Sequence, residues 1–270
     1  MVPLLRHTAT NLRHWISAIG RAPRALTPRW SAAALVATAL CVAAIVAMMF
    51  GFDAATSAWA RHLPRPLVGV AEEVTVFGLS GWFLYPLAFI LIFLAALPGP
   101  SSPPYVQETI ALFGARVCFL FTAIALPGVF GTVVKRLIGR ARPFMPPLDD
   151  PFVFKPFVWR PEYASLPSGH ATTVAAAAIA FGAIWPRWRA PMWLYALIIM
   201  LSRVVLNVHH PSDVVAGALV GVVGACLVRR WFAARELAFT PDRRAKPGPS
   251  WQQLDAIVHA IAQGPTKSAD

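Results

Sequence analysis

The chain has 270 residues, of which 57% are hydrophobic and only 13% charged. An ordinary soluble domain carries about 45–50% apolar residues and about twice that share of charge. These proportions exclude a water-soluble shell around one core and make a membrane protein the starting expectation. The net charge of +12 invites a nucleic-acid reading. The basic residues, however, sit in the tails and between apolar runs, as they do in membrane proteins on anionic lipid, and no nucleic-acid motif is present. The three cysteines, Cys41, Cys118 and Cys226, each lie inside an apolar run without metal-ligand spacing. They predict neither a disulfide framework nor a metal site.

Residues 1–30 contain five arginines and no acid. Residues 31–52 are almost wholly apolar and long enough to span a bilayer. Ala58-Trp59-Ala60 has the form of a signal cleavage site, but both the apolar run and the basic segment before it are too long for a signal peptide. An uncleaved first span is the expectation. Residues 61–79 mix Arg61, Arg65, Glu72 and Glu73 with apolar groups and predict a surface helix at the membrane interface.

A second span is expected over 82–98, broken by Pro98, Pro100, Pro103 and Pro104. A third runs over 110–134, with Arg116 near its start expected to snorkel outward. A long polar and aromatic connection covers 135–165. The fourth span, 169–185, is rich in Ala and Thr, which predicts a helix inside the bundle. The fifth and sixth are expected over 192–208 and 212–230, the sixth carrying Gly217 and Gly221 at close-packing spacing. In the tail, Trp251, Leu254, Ile257, Val258 and Ile261 recur at helical spacing. The expected fold is thus an all-α, six-helix transmembrane bundle over 31–232, between a basic segment at 1–30 and a polar tail at 233–270. Basic residues at both termini and at Arg187 and Arg189 place those parts in the cytoplasm by the positive-inside rule.

Three short segments hold most of the polar residues that the spans leave unexplained. They are Lys135 to Pro143, Leu166 to His170, and Ser202 to Asp213. Six passes bring all three to one membrane face, where ionisable groups are costly and usually functional. Lys135, Arg142 and Arg203 supply fixed positive charges matched to phosphate oxygens. Ser168 and Gly169 open a helix, whose free N–H groups favour an anion. A histidine can attack phosphorus covalently, a carboxylate can hold its tautomer, and a second histidine can protonate the leaving oxygen. His209, Asp213 and His170 provide that set.

These segments resemble the three-part signature of type 2 phosphatidic acid phosphatases, KxxxxxxRP, PSGH and SRxxxxxHxxxD. Lys135 to Pro143, Pro167 to His170, and Ser202 to Asp213 match it without substitution. The resemblance implies a membrane lipid phosphatase that works through a phosphohistidine, without metal or cofactor. His209 is then the nucleophile, Asp213 its partner and His170 the acid/base. Lys135, Arg142, Ser168, Gly169 and Arg203 hold the phosphate. Arg136 and Arg140 fall outside the signature and are expected to touch lipid head groups. The implied partners are the bilayer and a phosphorylated lipid, with the site on the outer face of a bacterial inner membrane. Phosphatidic acid, phosphatidylglycerol phosphate, undecaprenyl pyrophosphate and lipid A phosphate all remain open as substrates. An anion- or lipid-binding transporter is the competing class, but it would need none of His170, His209 and Asp213. The aromatic residues Phe152, Phe154, Phe157, Trp159 and Tyr163 are expected to border the path by which the lipid reaches the site.

Overall fold

The computed structural model describes residues 31–97, 103–148 and 150–239. Both tails expected from the sequence, including the helical pattern at 251–261, lie largely or wholly outside these residues. The described residues are α-helical apart from short 3₁₀ turns, loops and isolated bridges such as that between Arg140 and Phe154.

Helix α1 is Ala32–Gly51, opened by Ser31, whose hydroxyl accepts the Ala34 N–H. It is followed by α2 (Asp53–Ala60) and α3 (Arg65–Thr75). Of the stretch expected to be a surface helix, 61–79, α3 forms the helical part; it leaves Glu72 and Glu73 exposed and ends in a 3₁₀ turn at Val76–Gly78. Then come α4 (Gly81–Ala96), α5 (Pro104–Ile138), α6 (Gly169–Ile184), α7 (Arg189–Val205) and α8 (Pro211–Ala234).

Among the described residues, five segments are long and apolar enough to cross a membrane: Ala32–Gly51, Arg65–Ala96, Thr109–Ile138, Pro186–Val205 and Pro211–Ala234. Helix α6, with 16 residues, falls below that length. It is instead the axis of the bundle, with Ala171 to Ala178 all buried and α5, α7 and α8 packed around it. Its small side chains explain this place, because they let neighbouring backbones come close. The spacing of Gly217 and Gly221 serves the same contact: a Cβ on either glycine would strike the Ser168 or Thr172 carbonyl of α6. Phe119 of α5 seals the far end of the core, edge-on to Phe232 and Phe239 at 5.6 and 4.7 Å between ring centroids.

Arg116 departs from expectation. It is only 4% exposed, because its face of α5 joins Val117 and Leu120 in the core instead of pointing outward.

Candidate active site

Helix α5 ends at Gly139, in the left-handed region at φ 65°. A side chain there would collide with the Lys155 carbonyl, so glycine lets the chain turn sharply out of the helix. The connection that follows folds back along this turn. Ala141 N–H donates to Val153 O at 2.9 Å, Lys155 N–H to Gly139 O at 2.7 Å, and Ser165 N–H to Arg140 O at 3.1 Å. The basic segment is thereby pinned across the mouth of the bundle, between the C-terminus of α5 and the N-terminus of α6.

The predicted residues meet there. Lys135, in the last turn of α5, brings its Nζ over the N-terminus of α6, 3.1 Å from where a Gly169 Cβ would stand. A larger residue at 169 would displace it. Arg203 ends α7 and donates from Nη1 to Thr75 Oγ1 at 2.6 Å, while its Nε is buried without a partner. Arg142 donates from Nε to Pro161 O at 3.0 Å. Burial lowers the Arg142 guanidinium below its ordinary value, with Asp213 and Glu162 opposing that shift. His170, in the first turn of α6, lies against Gly78 and within electrostatic reach of Arg203, His209, Lys135 and Arg142.

Ser168 is fully buried at the N-cap of α6, and its hydroxyl has no partner. Its own N–H is already committed to Asp213 O at 2.9 Å. The hydroxyl and the following N–H groups, not the Ser168 amide, are therefore what this helix end offers an anion.

His209 is 4% exposed in the loop between α7 and α8. Its Nδ1 lies 3.7 Å from Asp213 Oδ2, too long for a hydrogen bond. The Ser165 hydroxyl stands beside both, donating to Asp213 Oδ2 at 2.5 Å and lying 3.5 Å from His209 Nδ1. Burial pushes the His209 imidazole down to about 4; Asp213 pulls it up, and Arg142 and Arg203 push it further down. Asp213 Oδ2 also accepts the His210 N–H at 2.9 Å, which closes the first turn of α8. His210 itself points elsewhere, its Nδ1 3.2 Å from Ser57 Oγ of α2.

Arg140 overturns an expectation. It is fully buried and touches no surface where a head group could reach it. Its Nη1 donates to Asp213 Oδ1 at 2.6 Å and to Ser212 Oγ at 2.7 Å, its Nη2 to Asp53 Oδ2 at 2.8 Å, and its Nε to Pro151 O at 2.9 Å. Two distant carboxylates hold it inside. Arg136 does remain partly exposed, 5.7 Å from the Trp159 ring centre, with Nε and Nη1 unpartnered. Among the described residues, no group of three or more His, Cys, Asp or Glu is arranged to hold a metal ion.

The sequence is similar to known proteins. Residues 116–237 match the PAP2 superfamily. A lipid A 1-phosphatase of Rhizobium johnstonii is 33% identical over 218 residues, covering 79% of this chain and 86% of that protein. A lipid A 1-phosphatase of Rhizobium etli is 32% identical over 194 residues, 72% of this chain and 81% of that protein. The crystal structure of Aquifex aeolicus LpxE aligns with 66% of this chain and 95% of that one, at 23% identity and a TM-score of 0.47. The chain belongs to the PAP2 superfamily. It is a multi-pass membrane lipid phosphatase, as the signature implied.

Proposed function

We propose that this phosphatase removes the 1-phosphate of lipid A through a covalent phosphohistidine on His209, at the outer face of the inner membrane. The choice of lipid is supported by the two rhizobial relatives, which the chain matches over most of their length. The chemistry is supported above all by one observation. His209 is buried with Nδ1 turned toward Ser165 and Asp213, which leaves Nε2, on the other side of the ring, for the cationic residues and a phosphate.

In this reading Lys135, Arg142 and Arg203 neutralise the phosphoryl oxygens as charge builds in the transition state. The Ser168 hydroxyl and the N–H groups from Gly169 onward complete the cradle. His209 Nε2 forms the bond to phosphorus as the bond to the lipid oxygen breaks. His170 gives that oxygen its proton. Water then attacks the phosphohistidine, His170 takes the water's proton, and inorganic phosphate leaves. Asp213 stabilises the positive imidazole ring of the intermediate. No step requires a metal.

The same reading makes α6 a sixth, short pass. At 16 residues it is about 24 Å long, and its burial inside protein removes the need to match the full hydrocarbon thickness. Six alternating passes put both termini in the cytoplasm with their arginines and the cradle on the opposite face.

Phosphate release from lipid A, phosphatidic acid, phosphatidylglycerol phosphate and undecaprenyl pyrophosphate tests the proposal, using purified protein in detergent with chelator. Lipid A should be hydrolysed fastest, and His209→Ala should be inactive while keeping its melting temperature. Faster turnover of another lipid would reassign the substrate. Full activity in His209→Ala would overturn the mechanism.

A further inference from the structure

The signature leaves Asp53 and Arg140 without a role, yet both are completely buried against Asp213. Asp53 is the first residue of α2, where an acid usually just complements the helix end. Here its carboxylate is bonded to residues far along the chain. Its Oδ1 accepts the Ser212 N–H at 3.0 Å, and its Oδ2 accepts Arg140 Nη2 at 2.8 Å and the Ser212 hydroxyl. The contacts join residues 87 and 159 positions apart. Asp53 therefore ties α2 to Arg140 and to the start of α8.

The charges of this cluster decide what it can do. One guanidinium, Arg140, bridges two carboxylates, Asp53 Oδ2 at 2.8 Å and Asp213 Oδ1 at 2.6 Å, and all three side chains are 0% exposed. Their sum is one negative charge. With Arg140 and Asp213 alone the sum would be zero. Asp213 would then face His209 as half of a neutral pair, and the imidazolium formed on phosphorylation would lose its counter-charge. Away from water such a difference is weakly screened.

We infer that Asp53 is a positioning residue for the phosphatase reaction: it neutralises Arg140, so that Arg140 can orient the Asp213 carboxylate without cancelling the charge that Asp213 presents to His209. Arg140 thus fixes Oδ1, and Oδ2 stays directed at Ser165 and His209. The helix after the first span, outside the matched family region at 116–237, becomes part of the catalytic apparatus. The inference rests on His209 being the nucleophile, and the His209→Ala control separates the two claims.

The test is a charge cycle in the full-length protein, with kcat and KM measured for Asp53→Asn, Arg140→Gln and the double variant. Asp53→Asn should lower kcat about 10- to 100-fold, the range for a lost supporting partner, with KM changed less than about threefold. Asp53→Glu, which keeps the charge, should stay well above Asp53→Asn. The double variant restores one net negative charge and should exceed the kcat of either single variant. A wild-type kcat in Asp53→Asn overturns the inference. So does a double variant as slow as the product of the two single losses, since plain structural damage would add. If Asp53→Asn fails to fold, the double variant and Asp53→Glu still decide the matter: charge compensation requires both to be faster than Arg140→Gln. Should His209→Ala remain active, the nucleophile assignment fails instead, whatever the cycle gives.

Discussion

Ser165 donates its hydroxyl proton to Asp213 Oδ2 at 2.5 Å, and this short bond occupies the oxygen that faces the histidine. His209 Nδ1 sits 3.7 Å from that oxygen and 3.5 Å from the serine oxygen. The hydroxyl can accept the Nδ1–H while it donates to the carboxylate, so the link from histidine to acid runs through Ser165. A tautomer held in this way keeps Nε2 free of its proton, as a nucleophile must be.

Removing the hydroxyl should therefore slow catalysis without unfolding the protein. Ser165→Ala is expected to lower kcat about 10- to 100-fold, by analogy with hydrogen-bond partners that orient metal-bound histidines, with a stability loss of about 1 kcal/mol. Ser165→Thr, which keeps the hydroxyl, should recover much of the rate if the extra methyl is accommodated. Steady-state kinetics alongside thermal unfolding checks this. A fully active Ser165→Ala would mean that Asp213 reaches the histidine directly.

The contrast between what the sequence carries and what it hides follows from distance along the chain. Lys135 and Arg142, Ser168 to His170, and Arg203 to Asp213 are legible because each group shares a short segment with fixed spacing. The buried axis was legible for a similar reason, since the run of Ala and Thr in α6 leaves no other use for so little side-chain volume. Asp53, Ser165 and Arg140 were not legible in their roles. Asp53 meets Arg140 across 87 residues, and no local pattern signals that contact. Arg140 sits in a basic run at a membrane face, where an arginine ordinarily faces lipid. Only the two carboxylates that converge on it reverse that preference, because a buried guanidinium needs paired charge and filled hydrogen bonds.

The depressed basicity of His209 gives a pH prediction. Burial lowers its value to about 4, below the ordinary 6.5 or so. The folded protein therefore keeps the His209 ring neutral down to about pH 5, while the unfolded chain begins to protonate it near 6.5. Between those values the unfolded state binds more protons, so this group's contribution to stability is present above about 6.5 and is lost as pH falls toward 4. Titration of the His209 ring by NMR, assigned by its absence in His209→Gln, should show a midpoint near 4. A midpoint at 6 or above would contradict the buried, water-excluded setting. Following the ring directly also separates it from the substrate phosphate, which titrates near 6 on its own.

The last prediction concerns the connection that covers the basic segment. Phe157 and Trp159 are 71% and 77% exposed, unusual for large aromatic groups unless they face lipid or a ligand. They are firmly placed nonetheless: Phe157 N–H donates to Arg136 O at 3.0 Å, and Trp159 lies 5.7 Å from the Arg136 guanidinium. Tyr163, by contrast, is buried and takes Lys155 over its ring at 4.9 Å, so it belongs to the framework and not to the surface. The two rings stand beside Arg136, next to the segment that carries Lys135 and Arg142, and the proposed function takes a head group past them to the cradle. Phe157→Ser and Trp159→Ser together should raise KM for acylated substrates several-fold and change the ranking of lipids in a panel. Hydrolysis of a short-chain water-soluble phosphomonoester should stay near its wild-type rate, because the cradle and His209 are untouched. Equal losses on lipid and soluble substrates would assign the rings to the catalytic framework, and unchanged relative rates on all lipids would remove them from the access path.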